Sequence, residues 1–310
     1  MLTLLRNLLT SVFGFMLIFA IALLALIQNM IMPYRVGPEW EDYDYYAVDP
    51  TFELTRDDDA YQASLYDVNS LRKKCFYGTN QHLSGRVTAV VIYMEDFESD
   101  WTNEQIDEFT EKDVEPALDF LEKQAEKYGV ELDFETKILR NGFYDDEVII
   151  DIDESGYTTI DVLEQAAKSY NYESQYDILY SLEEEYGTEV LFITVFNKPG
   201  CGYALNPKPG TDFRAVEHCI MFSIDKDYQT EYEPGTNAPI IVSTALHLFG
   251  GESLNKPEGR KAISQILYPN DIMRNQPFDI AESDIGEATA YYIGWIDVVP
   301  ESVYSQGWNE

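Results

Sequence analysis

Basic residues are scarce in this chain: 21 lysines and arginines face 56 aspartates and glutamates in 310 residues, for a formal net charge of −35 at pH 7. A surface of that sign repels phosphate backbones, which excludes nucleic acid as a partner. Cysteine is scarcer still. The three present permit one disulfide with one thiol left over. No internal repeat is visible, and no G-x-S-x-G elbow surrounds any serine. Apolar residues are not lacking, and 45% hydrophobic with 14% aromatic is enough for a sizeable core and excludes wholesale disorder.

One stretch lacks charge altogether. Residues 8–32 carry none, and 12–27 is an unbroken apolar run with a single glycine, long enough with its flanks to cross a bilayer. Arg6 precedes it and Glu39, Glu41, Asp42 and Asp44 follow, so the positive-inside rule puts the N-terminus in the cytoplasm and the bulk of the chain outside. A cleaved signal peptide is the competing reading, but the run exceeds a usual h-region and no small-x-small site follows at Gln28-Asn29-Met30. The expected organisation is a cytoplasmic N-terminus and transmembrane anchor over 1–35, an acidic juxtamembrane linker over 36–58, and an extracytoplasmic domain over 59–310. The Asp57-Asp58-Asp59 run reads as a helix N-terminus ahead of the apolar spacing Leu65, Val68, Leu71.

Strand and helix patterns then alternate. Residues 87–94 suit a buried strand. Thr102 and Gln105 form a capping box for a helix whose apolar positions run from Ile106 to Tyr128, with Pro116 set to kink or split it and Gly129 to end it. Residues 132–138 alternate as a strand, Asn141-Gly142 reads as a turn, and 148–152 as a short extended piece. A helix is expected from 159 to about 186, strands at 189–197 and 218–224 around a glycine- and proline-rich loop, and two last helices near 238–249 and 282–296. This order predicts an α/β (α+β) fold: a single-domain mixed sheet with flanking helices. Cys201 and Cys219 close a loop between two of these strands and are the favoured disulfide pair, the alternative being three buried thiols.

Asp151-x-Asp153-x-Ser155-Gly156 has part of a calcium-loop pattern, but the twelfth position is Val162 where a bidentate glutamate is needed, so acidic residues leading into a helix are the plainer reading. The stretch richest in chemistry is Ser243-Thr244-Ala245-Leu246-His247-Leu248-Phe249-Gly250-Gly251-Glu252-Ser253. It is followed by Pro269-Asn270-Asp271-Ile272-Met273 and by Thr289-Ala290-Tyr291-Tyr292-Ile293-Gly294-Trp295. These segments resemble the active-site region of metzincin-type zinc metallopeptidases, and are similar to poorly characterised bacterial members with H-E-x-x-H-L-F-G, P-N-D-I-M and T-A-Y-x-I-G-W. The resemblance extends over roughly residues 86–297, by element order in the first half and by motif in the second.

In that family two histidines four apart share a helix face and hold zinc, the glutamate beside the first acts as general base, a glycine turns the chain to a third ligand, and a methionine turn underlies the metal. Carried across, the first ligand position holds Ser243, the base position Thr244 and the third-ligand position Ser253; His247, Gly250 and the turn's Met273 remain. One imidazole with two hydroxyls cannot replace a zinc triad, and threonine has no usable proton affinity near neutral pH. No zinc is therefore expected, and calcium has only the partial loop at 151–156 in its favour. The resemblance implies a pseudo-metallopeptidase at a bacterial cell surface, anchored in the membrane by its helix, that binds or scaffolds a protein or peptide. One alternative is a hydrolase with a relocated metal site using His247 and Glu252, helped by His218 or a cysteine. Another is a Ser243–His247 nucleophile pair, and a third a structural cell-envelope domain.

Overall fold

The computed structural model describes residues 79–97, 100–143, 162–206, 216–225, 231–275 and 279–304. The anchor, the linker, the Asp57–Asp59 run, the extended piece at 148–152 and the calcium-like stretch lie outside the described residues. Among those described, no helix is long and apolar enough to cross a membrane.

Five strands form one sheet: β1 (Gly85–Glu95), β2 (Leu132–Phe143), β3 (Glu189–Gly200), β4 (Tyr203–Leu205) and β5 (His218–Asp225), in the order β2-β1-β3-β5-β4. β1, β2, β3 and β5 run parallel, and only β4 is antiparallel, against β5. The mixed sheet expected from the sequence is thus present. Every residue from Val87 to Met94 is fully buried, as a central parallel strand covered on both faces requires.

Alternation along β1 feeds two cores. Val87, Ala89, Val91 and Tyr93 face α1 (Asn103–Phe109), α2 (Glu115–Lys127) and α5 (Ala238–Leu248); Val90, Ile92 and Met94 face α3 (Val162–Ser169) and α4 (Gln175–Tyr186). The chain continues through α6 (Glu258–Leu267), a 3₁₀ turn (Ile280–Glu282), α7 (Glu287–Tyr292) and α8 (Glu301–Tyr304). Trp295 Nε1 donates to the Leu83 carbonyl at 2.7 Å, tying the end of the domain to the approach to β1.

Thr102 and Gln105 cap α1 reciprocally, and Gly129 (φ +72°) follows α2. Between the two helices lies a π turn, Thr110–Val114, in which the Glu115 N–H reaches back to the Thr110 carbonyl. Pro116, in the first turn of α2, has no N–H to give, and the widened turn absorbs the mismatch that the sequence predicts as a split.

Elsewhere the expectations need correcting. Asn141-Gly142 is not a turn: β2 runs through it, and Asn141 (φ +64°) is the extra residue of a bulge where the register shifts between Ile92 and Met94. The helix expected over 159–186 is two, separated at Asn171 (φ +64°) and restarted by Ser174, whose hydroxyl accepts from Asp177 N. The glycine- and proline-rich loop contains β4, α6 was not foreseen, and the last long helix is reduced to α7.

Candidate functional site

The motif lies on α5 and the chain just beyond it. Pro239 occupies its first turn, and no side chain of its own caps it. The cap comes from the π turn: Asp113, completely buried, accepts from Asn237 N at 2.7 Å and from Tyr232 Oη at 2.6 Å, and the Gly235 and Ala238 N–H groups add to it. Burial pushes its pKa up, against the pull of these hydrogen bonds.

At the other end Gly250 (φ +94°) reverses the chain, and Gly251 N–H donates to the Leu246 carbonyl at 2.7 Å. A Cβ at Gly251 would stand 2.8 Å from that carbonyl oxygen, so the close approach requires glycine. The turn aims the Gly251 carbonyl at His247, whose Nδ1 lies 2.7 Å away. A carbonyl only accepts, so Nδ1 carries the proton, and Nε2 holds a lone pair with no partner among the described residues. Burial lowers the His247 pKa and leaves the ring neutral at pH 7. Asn206, just after β4, donates to the His247 carbonyl at 2.9 Å, while its Oδ1 is covered and has no donor among the described residues.

The other motif positions do not converge on His247. Ser243 and Thr244 are 2% and 3% exposed, and the Ser243 hydroxyl donates back to the Ile240 carbonyl at 3.1 Å instead of to the imidazole. The Ser243–His247 nucleophile pair is therefore not assembled. The Ser253 hydroxyl accepts from Asn255 N at 3.3 Å. Glu252, expected as a relocated ligand, is held at 3.1 Å by Arg260, a side chain 2% exposed that also donates to the Ser253 carbonyl and lies over the Tyr292 ring. His218 heads β5 with its Nδ1 bonded to the Val216 carbonyl, and alternation sets it with Ile220 and Phe222 on the face covered by α3 and α4, across the sheet from α5. It cannot join His247.

No disulfide joins Cys201 and Cys219. The register partner of Cys219 on β4 is Ala204, not Cys201, which lies before the strand begins. Burial raises the Cys219 thiol pKa and keeps it inert. Among the described residues no group of three histidines, cysteines, aspartates or glutamates is placed to hold a metal. The donor set around His247, one imidazole with serine hydroxyls, does not fit zinc.

The surroundings of the motif are nonetheless fastened together, and one residue does much of it. Asp271, 1% exposed, accepts from Met273 N through Oδ1, and from Gly286 N and Thr289 Oγ1 through Oδ2, each at 2.8 Å. Met273 is buried in the core shared with α5, and its carbonyl takes the Leu254 N–H at 2.9 Å. The Asp271 carboxylate thus joins the turn at 271–273 to the start of α7, and the Met273 carbonyl joins that turn to the chain after α5. Burial pushes the Asp271 pKa up to about 6, against these three bonds. Sequence reasoning singled out Met273 and passed over Asp271, Arg260 and Asp113. The P-N-D-I-M resemblance contained a signal for Asp271, and nothing local marked the other two.

Compared with protein-family models, curated proteins and solved structures, the chain matches none.

Proposed function

We propose that residues 59–310 form a pseudo-metallopeptidase: a domain with the frame of a metzincin-type zinc peptidase that binds or scaffolds a protein or peptide and does not hydrolyse it. The observation that carries this reading is the set Ser243, Thr244 and Ser253 standing at two ligand positions and the base position around a surviving His247. In support, His247 Nδ1 is committed to Gly251, and Glu252 to Arg260, which leaves one imidazole nitrogen where a zinc needs three ligands. The segments that would underlie a metal, at Asp271–Met273 and α7, are still bonded to the motif chain. The uncharged stretch at 8–32 anchors the domain with its bulk outside the cytoplasm. The contact face is the cleft beside α5, where an extended segment is taken up by strand addition. A sheet edge offers unpaired N–H and C=O groups to an extended segment, and that use requires no metal.

The test is elemental analysis of the purified full chain, prepared without chelator or metal-binding tag, with melting curves before and after added zinc. Substoichiometric zinc and an unchanged melting temperature are expected. One equivalent of zinc that disappears in His247→Ala would overturn the reading.

A further inference from the structure

The amino ends of β1 and β3 and the last turn of α4, which covers the sheet face opposite α5, border a cavity of about 640 Å³. Its lining is polar throughout: eight polar side chains and Gly187, with no aliphatic, phenylalanine, tyrosine or tryptophan side chain among them. The walls are fastened. Glu189 accepts from the Gln81 and His82 N–H groups, and the Thr188 and Thr88 hydroxyls share a bond of 2.6 Å. Asn80, within the same wall, donates its N–H to Glu217 at 2.8 Å and its Nδ2 to the Val190 carbonyl at 3.0 Å. Arg86 lends its charge to Asp133 and Glu135 on β2. Glu183 differs from all of these. It lines the cavity half-buried, yet among the described residues no ion pair or hydrogen bond reaches its carboxylate, and burial alone moves its pKa, upwards.

We propose that this cavity binds a small polyhydroxylated ligand bearing an ammonium group, an amino sugar in chemical class, with the ammonium seated on the Glu183 carboxylate. The site is separate from the peptide-binding reading above, since no lining residue belongs to the motif around His247. Its volume falls within the range of about 300–1,000 Å³ usual for small-molecule sites. An apolar ligand would cover the hydroxyls, carboxylates and imidazole of the lining without satisfying them, whereas a polyol carries donors and acceptors on every side. A quaternary ammonium wants an aromatic cage, and none lines this cavity. An anion meets the Glu183 charge and an arginine already paired. Among the described residues no three metal-binding side chains converge, so a bare metal ion is a poor fit too. A primary ammonium restores to Glu183 the charge-assisted hydrogen bond that water supplies outside.

The probes are glucosamine, N-acetylglucosamine, glucose and ethanolamine, titrated by ligand-observed NMR against the full chain in detergent at physiological salt. Glucosamine is expected to bind with a dissociation constant on the order of 1 mM. Glucose and N-acetylglucosamine, which lack the ammonium, bind at least ~10-fold more weakly, and so does ethanolamine, which lacks the ring hydroxyls. Glu183→Gln brings glucosamine down to the level of glucose. Glu184→Gln, one residue along the same helix, exposed and outside the lining, removes the same charge and leaves binding unchanged. Ser84→Trp, at an exposed lining position, fills the cavity and abolishes binding, with melting curves confirming that each variant is folded.

Equal binding of glucosamine and glucose would overturn the role of the ammonium, and ethanolamine binding as tightly as glucosamine would overturn the polyol. Glucosamine binding that survives Glu183→Gln, or that Glu184→Gln weakens as much, would reduce the effect to attraction by the −35 surface at large and sink the site. Failure of all four probes to bind the parent would do the same, without touching the reading of the motif around His247.

Discussion

His218 enters the core neutral. Its Nδ1 donates to the Val216 carbonyl, its Nε2 is covered and unpartnered among the described residues, and burial pulls its pKa down to about 4. A base depressed in the folded state contributes stability above its unfolded pKa of about 6.5 and loses it as pH falls towards 4, roughly 3 kcal/mol in all. Asp271 runs the other way: raised to about 6, it contributes fully below about 3.8 and loses roughly 3 kcal/mol as pH rises through 6. Over pH 4–6 the two oppose each other. Urea unfolding across that range should therefore show His218→Leu gaining stability on acidification relative to the parent, and Asp271→Asn losing it. Parallel profiles for all three proteins would show that neither group titrates as described. Arg260 makes a sharper test at fixed pH. Glu252→Ala leaves its buried guanidinium without the carboxylate and is expected to cost about 3 kcal/mol in the same measurement. The sequence marks where His247 stands, since residue spacing survives in a string of letters. Which way its Nδ1 points depends on a carbonyl placed by the Gly250-Gly251 turn, and Arg260 reads as an ordinary surface arginine until the fold covers it.

At the scale of elements, the helix that bears the motif is held at its start by another part of the chain. Asp113 sits on the π turn and serves the N–H groups that open α5, so a defect there is felt at Ser243 and His247 without touching either. Asp113→Ala should destabilise the protein by about 2 kcal/mol, read as a lower melting temperature, and Asp113→Asn by less because one acceptor remains. Equal losses would argue that space, not capping, is what Asp113 supplies. Four strands were legible in the sequence: β1 and β3 as near-continuous apolar runs, β2 by its alternation and β5 by its apolar stretch. β4 was not legible, because three residues inside a loop of glycine and proline offer no period, and pairing with β5 alone makes them a strand. α6 escaped for a related reason. It presents Ile266 and Leu267 to solvent and buries Arg260 and Ser264, the reverse of the pattern by which an amphipathic helix is recognised.

The molecule as a whole carries its acidity as a standing cost. With a net charge of −35, folding compresses like charges, and the described ion pairs lie mostly at exposed positions where each adds little. Raising sodium chloride from about 0.01 M to about 0.3 M should increase the melting temperature as the Debye length shrinks, and a fall would mean that attraction between charges dominates. Charge and the coarse class, a mixed sheet with flanking helices, were readable from composition and periodicity, because they depend on sums over many residues. What fastens the candidate site was not, since Asp113, Arg260 and Asp271 act across gaps of 124, 8 and up to 18 residues.

The bond from Trp295 to Leu83 spans 212 residues, and this sets a schedule for synthesis. At about 5–20 residues per second, β1 leaves the ribosome ~10–40 s before the tryptophan that fastens its approach exists. Through that interval the nascent sheet has no α7 against it and no Asp271 junction. Proteases and chaperones therefore meet their most accessible form of this protein during its manufacture, and its yield in a cell will depend on that wait as much as on the finished fold.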